Sequence, residues 1–177
     1  MKIKDKDFLL LYKEDAIRKR VIEMAREINK DYIKKEPIFI SVLNGAFIFA
    51  ADLLREITLP SAISFIKLSS YSDTARTGPI KELIGLNEKL FKKDVIIVED
   101  IVDSGHTLEY VVKQLNSLGP SSLEVAALLV KSSALKTTVN IRYTGFSIPD
   151  NFVIGYGLDY DGFGRNLKDI YFLKNKL

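Results

Sequence analysis

Hydrophobic positions along the chain alternate between two kinds of segment. Residues 12–34 carry apolar side chains every three or four positions, the spacing of an amphipathic helix, and residues 46–57 and 108–119 repeat that pattern. Between them lie short apolar runs bounded by glycine, proline or polar residues, at 38–43, 62–70, 95–98 and 123–130, and residues 152–160 offer one more strand and then a glycine-rich turn. Strands that alternate with helices in this way predict an α/β fold with a mainly parallel sheet.

Composition narrows the classes of protein that the chain can belong to. Its 177 residues correspond to one domain, and without cysteine they cannot form disulfides, zinc fingers or thiol nucleophiles. The single histidine, His106, excludes a metal site built on two histidines. A net charge of +3 is too mild to indicate a nucleic-acid-binding protein. Without a long apolar segment or a signal-like N-terminus, we expect no membrane association and a cytoplasmic location.

The polar residues after the run at 95–98 are the best candidates for chemistry, because ligands of parallel sheets bind outside the carboxyl ends of the strands. Glu99, Asp100 and Asp103 follow this run directly. Residues 104–107, Ser-Gly-His-Thr, then open a predicted helix, whose free N–H groups, hydroxyls and glycine suit a phosphate.

Adjacent carboxylates beside a phosphate site need a reason, because like charges repel. Hydroxyl groups on the ligand, a divalent cation, or a carbon that becomes positive during reaction would each supply one. A phosphorylated ribose substituted at its anomeric carbon offers all three. The alternative is that Glu99 and Asp100 merely end a strand and Asp103 caps the next helix.

Four segments together resemble a known family. VIIVEDIVDSGHTL closely resembles the phosphoribosyl-pyrophosphate (PRPP) motif of the type I phosphoribosyltransferases, and its acids are most similar to the hypoxanthine-guanine branch. FISVLNGAFIFAADLL resembles the family's pyrophosphate loop with the following helix, and ISFIKLSSYSD resembles the start of its mobile active-site loop. GFSIPDNFVIGYGLDYDGFGRNL is similar to the family's purine-binding segment.

The resemblance implies a parallel-sheet phosphoribosyltransferase core flanked by helices, with a small hood subdomain. Residues 1–177 would form a single domain, with the core at about 36–140 and the hood from the N-terminal residues and about 145–177. It implies a purine salvage enzyme that transfers 5-phosphoribosyl from PRPP to hypoxanthine or guanine, giving IMP or GMP and pyrophosphate. It further implies Mg²⁺ as cofactor, no nucleic-acid partner, and a homodimer or homotetramer.

The resemblance also implies roles on the PRPP side. Glu99 and Asp100 would hold the ribose hydroxyls directly or through Mg²⁺, and Asp103 would be the general base or acid near purine N7. The 5′-phosphate cradle would consist of Ser104, Gly105, His106 and Thr107, with His106 using its backbone N–H. The pyrophosphate would meet Asn44, Gly45 and Arg165.

Asn44 departs from the family pattern, because many members have lysine there. Its side chain brings no charge to pyrophosphate, so the backbone N–H groups of Gly45 and Ala46 would bind it. In the family the peptide that corresponds to Leu43–Asn44 is often cis.

On the purine side, the resemblance implies that Lys131 donates to the 6-oxo group, which favours a keto purine over adenine and leaves xanthine open. Phe152 would stack on the base, and the carbonyls of Val153 and Asp159 would contact its edge. The Asp159 side chain would hold a second Mg²⁺ through water. Ser70 and Tyr71 would close over the pyrophosphate and exclude water.

Blander alternatives exist for single residues and for the whole chain. Lys131 could be a solvated lysine at a strand end, and Phe152 could be an ordinary core residue. The chain could also be a catalytically silent PRPP-binding regulator on the same fold. Such a sensor would have no evident use for Asp103, Lys131 and Phe152 together.

Overall fold

The structure is a computed structural model that describes residues 1–70, 80–84 and 89–174. Its helices are α1 (Glu14–Asp31), α2 (Phe47–Arg55) and α3 (His106–Asn116). Its strands are β1 (Lys2–Ile3), β2 (Lys6–Tyr12), β3 (Ile38–Leu43), β4 (Ala62–Ser70), β5 (Ile80–Ile84), β6 (Asp94–Val102), β7 (Ser122–Val130), β8 (Tyr143–Ser147), β9 (Val153–Ile154) and β10 (Ile170–Leu173).

The larger sheet has the strand order β5-β4-β3-β6-β7-β8. Five neighbouring strands of this sheet pair in parallel, in the order β4, β3, β6, β7 and β8. Strand β5 joins one edge antiparallel to β4. This arrangement confirms the predicted α/β fold with a mainly parallel sheet. Because β3, β6 and β7 are neighbours, their carboxyl ends meet at one side of the sheet.

Both faces of the larger sheet are covered, which explains why its strands are apolar runs rather than alternating ones. On β3, Phe39 packs into the cluster beneath α1 and α2, and Ile40 packs into the cluster beneath α3. Both side chains are fully buried. The helices packed on each face therefore hold in place the strands whose ends carry polar residues.

A second, antiparallel sheet has the order β1-β2-β10-β9 and lies beside the first. It combines strands from residues 2–12 with strands from residues 153–173. Val153 and Ile170 join the core cluster under α1 and α2, so the two sheets share one hydrophobic interior. Along the chain, β8 is the last strand of the parallel sheet, and the chain then returns to the second sheet at Val153.

Residues 152–160, predicted to offer one more strand and then a glycine-rich turn, do form a strand followed by a turn, but the strand is short. Only Val153 and Ile154 form a strand, because the chain then turns through residues 155–158, where φ is positive at Gly155, Tyr156 and Gly157. Backbone with positive φ cannot continue a strand.

Within the described residues, no helix is long and apolar enough to cross a membrane.

Candidate active site

A cavity of about 310 Å³ opens at the carboxyl ends of β6 and β7. It collects side chains from five separate parts of the chain, as expected where parallel strands end. The predicted site residues that line it are Gly45, Asp100, Asp103, Lys131, Phe152, Val153, Asp159 and Arg165, and Ile101 and Leu158 join them.

The Lys131 ammonium group lies between two carboxylates. Its Nζ is 2.9 Å from Asp103 Oδ2 and 3.0 Å from Asp150 Oδ1, and the residue is only 7% exposed. Burial of an ammonium group is costly unless it is paired, and here two anions offset that cost. Lys131 is therefore not a solvated strand-end lysine.

Asp150 was missed by sequence reasoning, although its carboxylate contacts Lys131. It belongs to the Pro149-Asp150-Asn151 turn just before Phe152, where an aspartate is an ordinary turn residue. No spacing rule connects it with a lysine that lies 19 positions earlier. Only the tertiary fold reveals this contact.

Glu99 and Asp100 are half-buried neighbours near the end of β6, and they line different cavities. Among the described residues, Glu99 Oε2 is buried without a hydrogen-bond partner, whereas Asp100 Oδ1 accepts the Ile101 N–H at 2.9 Å. Gly45 packs so closely against the Asp100 carboxylate that a Cβ at position 45 would collide with it.

Burial makes both acids reluctant to ionise. It raises the pKa of Glu99 well above its usual value, and the neighbouring Asp100 charge raises it further. Burial also raises the pKa of Asp100 to about 6, although the Ile101 N–H and the Arg165 charge oppose the change. Cations or donor hydroxyls at this position would therefore relieve an unfavourable charge.

A smaller recess of about 120 Å³ lies beside the cavity, at the N-terminus of α3. Gly105 caps the helix in the left-handed region with φ +84°, and a Cβ there would collide with Thr137 Oγ1. The first turn of a helix has N–H groups without intrahelical partners, which suits an anion. The predicted cradle residues that line the recess are Ser104, Gly105 and Thr107, together with Glu99 and Asp103.

His106, the remaining predicted cradle residue, has an exposed side chain that does not line the recess. As the first residue of α3, it still offers a backbone N–H at the helix start. This position agrees with the expected backbone role and gives the imidazole no part in the recess.

The Arg165 guanidinium is fixed at the edge of the larger cavity by two partners. Its Nη2 is 2.7 Å from Asp159 Oδ1, and its Nη1 donates to the Gly157 carbonyl at 2.7 Å. Asp159 Oδ2 accepts the Gly162 N–H at 2.7 Å. Both oxygens of Asp159 thus already have a partner, Oδ1 in the ion pair with Arg165 and Oδ2 in the hydrogen bond from Gly162, so an ion would reach this carboxylate through water or by rearrangement.

Phe152 is not an ordinary core residue, because its side chain is 41% exposed. Its ring forms a T-shaped pair with the Tyr160 ring at a centroid distance of 5.9 Å, and the centroid of the Phe8 ring lies 6.5 Å away. A ring supported by aromatic neighbours and exposed at the cavity can stack on a flat heterocycle.

The loop after β3 contributes less than expected. The Leu43–Asn44 peptide is cis, and Asn44 is exposed and does not line the cavity. The Ala46 N–H donates to the Val42 carbonyl at 3.3 Å, and its contact with pyrophosphate stays a prediction. Ser70 ends β4, and Tyr71 lies outside the described residues.

Comparison with known proteins assigns the chain to a family. The model of the phosphoribosyl transferase domain family matches residues 10–161. The chain therefore belongs to the phosphoribosyltransferases.

Its relatives define the branch. The chain is 40% identical over 169 residues to a hypoxanthine-guanine phosphoribosyltransferase of Dictyostelium discoideum, with 93% of this chain and 92% of the relative covered. It is 43% identical over 150 residues to a hypoxanthine phosphoribosyltransferase of Salmonella typhimurium, covering 83% and 84%. A crystal structure of a hypoxanthine-guanine phosphoribosyltransferase from Bacillus anthracis superimposes with a TM-score of 0.90 at 38% identity, covering 98% and 100%.

Replacement of Asp100 by asparagine should stabilise the protein in the absence of ligand and divalent cation. The folded-state pKa of about 6 exceeds the ordinary value of 3.8, so ionisation of Asp100 opposes folding at neutral pH. At pH 7.5, Asp100→Asn should raise the free energy of unfolding by up to ~3 kcal/mol. The gain should shrink as the pH falls from 6 towards 4, because wild-type Asp100 then becomes protonated.

The measurement is urea unfolding in EDTA at pH 7.5 and pH 5. Asp94→Asn is a matched control on the same strand. Burial opposes ionisation there too, but hydrogen bonds from Ser122 and Lys35 outweigh it and lower the Asp94 pKa. This control should therefore destabilise the protein at neutral pH. A destabilising Asp100→Asn at pH 7.5 would contradict the expected charge penalty.

Proposed function

We propose that this protein transfers the 5-phosphoribosyl group of PRPP to hypoxanthine or guanine, giving IMP or GMP and pyrophosphate. One observation carries the proposal. The Asp103–Lys131 ion pair and the exposed ring of Phe152 line one cavity, directly beside the recess at the start of α3. A flat oxopurine and a ribose phosphate can therefore be held side by side.

The purine would lie against the Phe152 ring. Lys131 has three N–H donors, of which two face Asp103 and Asp150, so the third is available for the 6-oxo group of a purine. Adenine would present an amino group to this ammonium and bind poorly. The backbone carbonyls of Val153 and Asp159 would accept from the edge of the base.

PRPP would lie across the ends of β6 and β3. Its 5′-phosphate would occupy the recess formed by residues 104–107, and its ribose hydroxyls would donate to Glu99 and Asp100. Its pyrophosphate would meet the Gly45 backbone and Arg165, with Asn44 at the rim. Ser70 and Tyr71 would cover this part of the site and exclude water, which would otherwise attack the ribose.

In the reaction, the bond between the anomeric carbon and pyrophosphate breaks, and its electron pair leaves with pyrophosphate. The purine N9 forms the new bond to that carbon, and the base loses a proton. Asp103 would accept this proton from N7, and the Lys131 ammonium group, 2.9 Å from Asp103, stabilises the carboxylate charge. The charges of Glu99 and Asp100 would stabilise the positive ribose.

The same carboxylates fit Mg²⁺ bound together with the substrate. Among the described residues, no three acidic or histidine side chains converge into a metal site made by protein alone. Mg²⁺ commonly binds one or two carboxylates plus substrate phosphates. Glu99 Oε2, a carboxylate oxygen without a hydrogen-bond partner among the described residues, is suited to bind such an ion. Glu99 and Asp100 would hold one ion and Asp159 a second through water. The metal would offset the negative charge of pyrophosphate.

We further propose a cytoplasmic homodimer or homotetramer that needs no nucleic acid.

The first test of the proposed reaction is an assay of the purified protein with Mg²⁺ and PRPP, to which hypoxanthine, guanine, xanthine and adenine are added separately. We expect conversion of hypoxanthine and guanine but not adenine, and loss of activity in excess EDTA. PRPP binding without conversion of any base would instead indicate the silent regulator.

Asp103→Asn should lower kcat by about 10²- to 10⁴-fold, because asparagine keeps the shape and an oxygen for Lys131 but cannot hold the proton. PRPP affinity, measured by calorimetry, should change little. Asp150→Asn is the matched control, because it removes the other carboxylate beside Lys131 and should keep most of kcat. Equal losses of kcat and PRPP affinity in Asp103→Asn would remove Asp103 from the acid-base role.

Lys131→Met should raise the KM for hypoxanthine by about tenfold or more, the usual effect of losing a hydrogen bond from a charged group. The KM for PRPP should stay within about threefold. Lys113→Met serves as control, because Lys113 is an exposed residue whose contact with Glu109 lies on the surface of α3. An unchanged hypoxanthine KM would place the base elsewhere.

A further inference from the structure

Tyr156 adopts a backbone conformation that is unusual for a large side chain. It has φ +50° and is followed by Gly157 with φ +100°. The two residues are the centre of a tight turn in which Gly155 and Leu158 exchange N–H to carbonyl hydrogen bonds of 3.0 Å. Glycine or asparagine normally occupies such positions, so a tyrosine stays there only if its surroundings hold it.

The side chain of Tyr156 helps to hold the turn. It is only 5% exposed, and its hydroxyl donates to Asp52 Oδ2 at 2.6 Å. Asp52 lies on α2, the helix that follows Gly45 directly. Residues 104 positions apart are thus joined by one short hydrogen bond.

The other side of the same turn contacts the candidate pyrophosphate site. Gly157 packs against the Gly45 carbonyl so closely that a Cβ at position 157 would collide with it. The Gly157 N–H donates to the Arg165 carbonyl at 3.0 Å, and the Arg165 guanidinium donates back to the Gly157 carbonyl at 2.7 Å. The placement of Gly157 therefore determines where Arg165 lies relative to Gly45.

We propose that Asp52 and Tyr156 are positioning residues that set Arg165 and Gly45 at the separation needed to bind the pyrophosphate part of PRPP. This inference rests on the proposed function of the site. Neither side chain lines the 310 Å³ cavity; both line a separate cavity of about 550 Å³. They act through the turn and touch no substrate.

The test combines steady-state kinetics with calorimetric binding of PRPP and of pyrophosphate with Mg²⁺. Tyr156→Phe removes only the hydroxyl group, and should raise the PRPP KM and weaken pyrophosphate binding by about three- to tenfold, as expected for one lost hydrogen bond. The hypoxanthine KM should stay within about twofold, because Phe152 and Lys131 are held independently.

Further variants separate positioning from simple loss of stability. Asp52→Asn keeps an oxygen acceptor and should stay near wild type, whereas Asp52→Ala should match Tyr156→Phe, and the double variant should lose nothing more. Tyr143→Phe is the matched control, because the buried Tyr143 hydroxyl donates to Asp31 at 3.0 Å, also on a helix. It should lower Tm as Tyr156→Phe does but leave the PRPP KM and pyrophosphate binding unchanged.

The outcomes for the two proposals are distinct. If wild type is active and Tyr156→Phe matches Tyr143→Phe in PRPP KM and pyrophosphate binding, the positioning role is wrong and the proposed function stands. If wild type binds neither PRPP nor pyrophosphate, both proposals are wrong. If wild type binds PRPP but transfers nothing, the binding data still decide the positioning role.

Discussion

The site depends on one close contact between backbone segments, the packing of Gly157 against the Gly45 carbonyl. A side chain at Gly157 would push the turn after β9 away from the loop after β3. Gly45 also packs against the Asp100 carboxylate, so three segments remote in sequence meet closely at this glycine. This arrangement positions Arg165, which donates to the Gly157 carbonyl and lines the same cavity as Gly45.

Among the described residues, charged groups are paired at Lys131, whereas the buried acids of β6 carry unfavourable charge. The Lys131 ammonium group has two carboxylate partners, so this part of the cavity is preorganised without ligand. Glu99 and Asp100 instead lie side by side with raised pKa values. Preorganised groups lose little freedom when substrate binds, whereas unbalanced charge lowers the stability of the empty protein and is relieved by ligand.

Much of the fold could be predicted because buried strands and amphipathic helices leave local patterns. The run at 62–70 coincides with β4, and the run at 123–130 differs from β7 by one residue. β2 left no such pattern: Phe8 is buried, while its neighbours Leu9 and Leu10 are each 45% exposed. The edge strands β5 and β8 were missed as well, and so was β10, which lies between β2 and β9.

The candidate site divides in the same way. Glu99, Asp100 and Asp103 were predictable because they follow a buried strand within a few residues, and family resemblance supplied Lys131 and Phe152. Asp150 and the Asp52–Tyr156 pair were not predictable, because each contact joins elements that only the tertiary fold brings together. An ordinary turn aspartate and a helix aspartate carry no local sign of such partners.

The end of β6 supplies two subsites from adjacent residues, since Glu99 lines the recess at α3 and Asp100 lines the larger cavity. Neighbouring side chains of a strand point to opposite faces, so inserting or deleting a single residue in β6 would exchange the two carboxylates. This stretch can therefore diverge during evolution by substitution but hardly by changes of length. Loops elsewhere on the surface carry no such restriction.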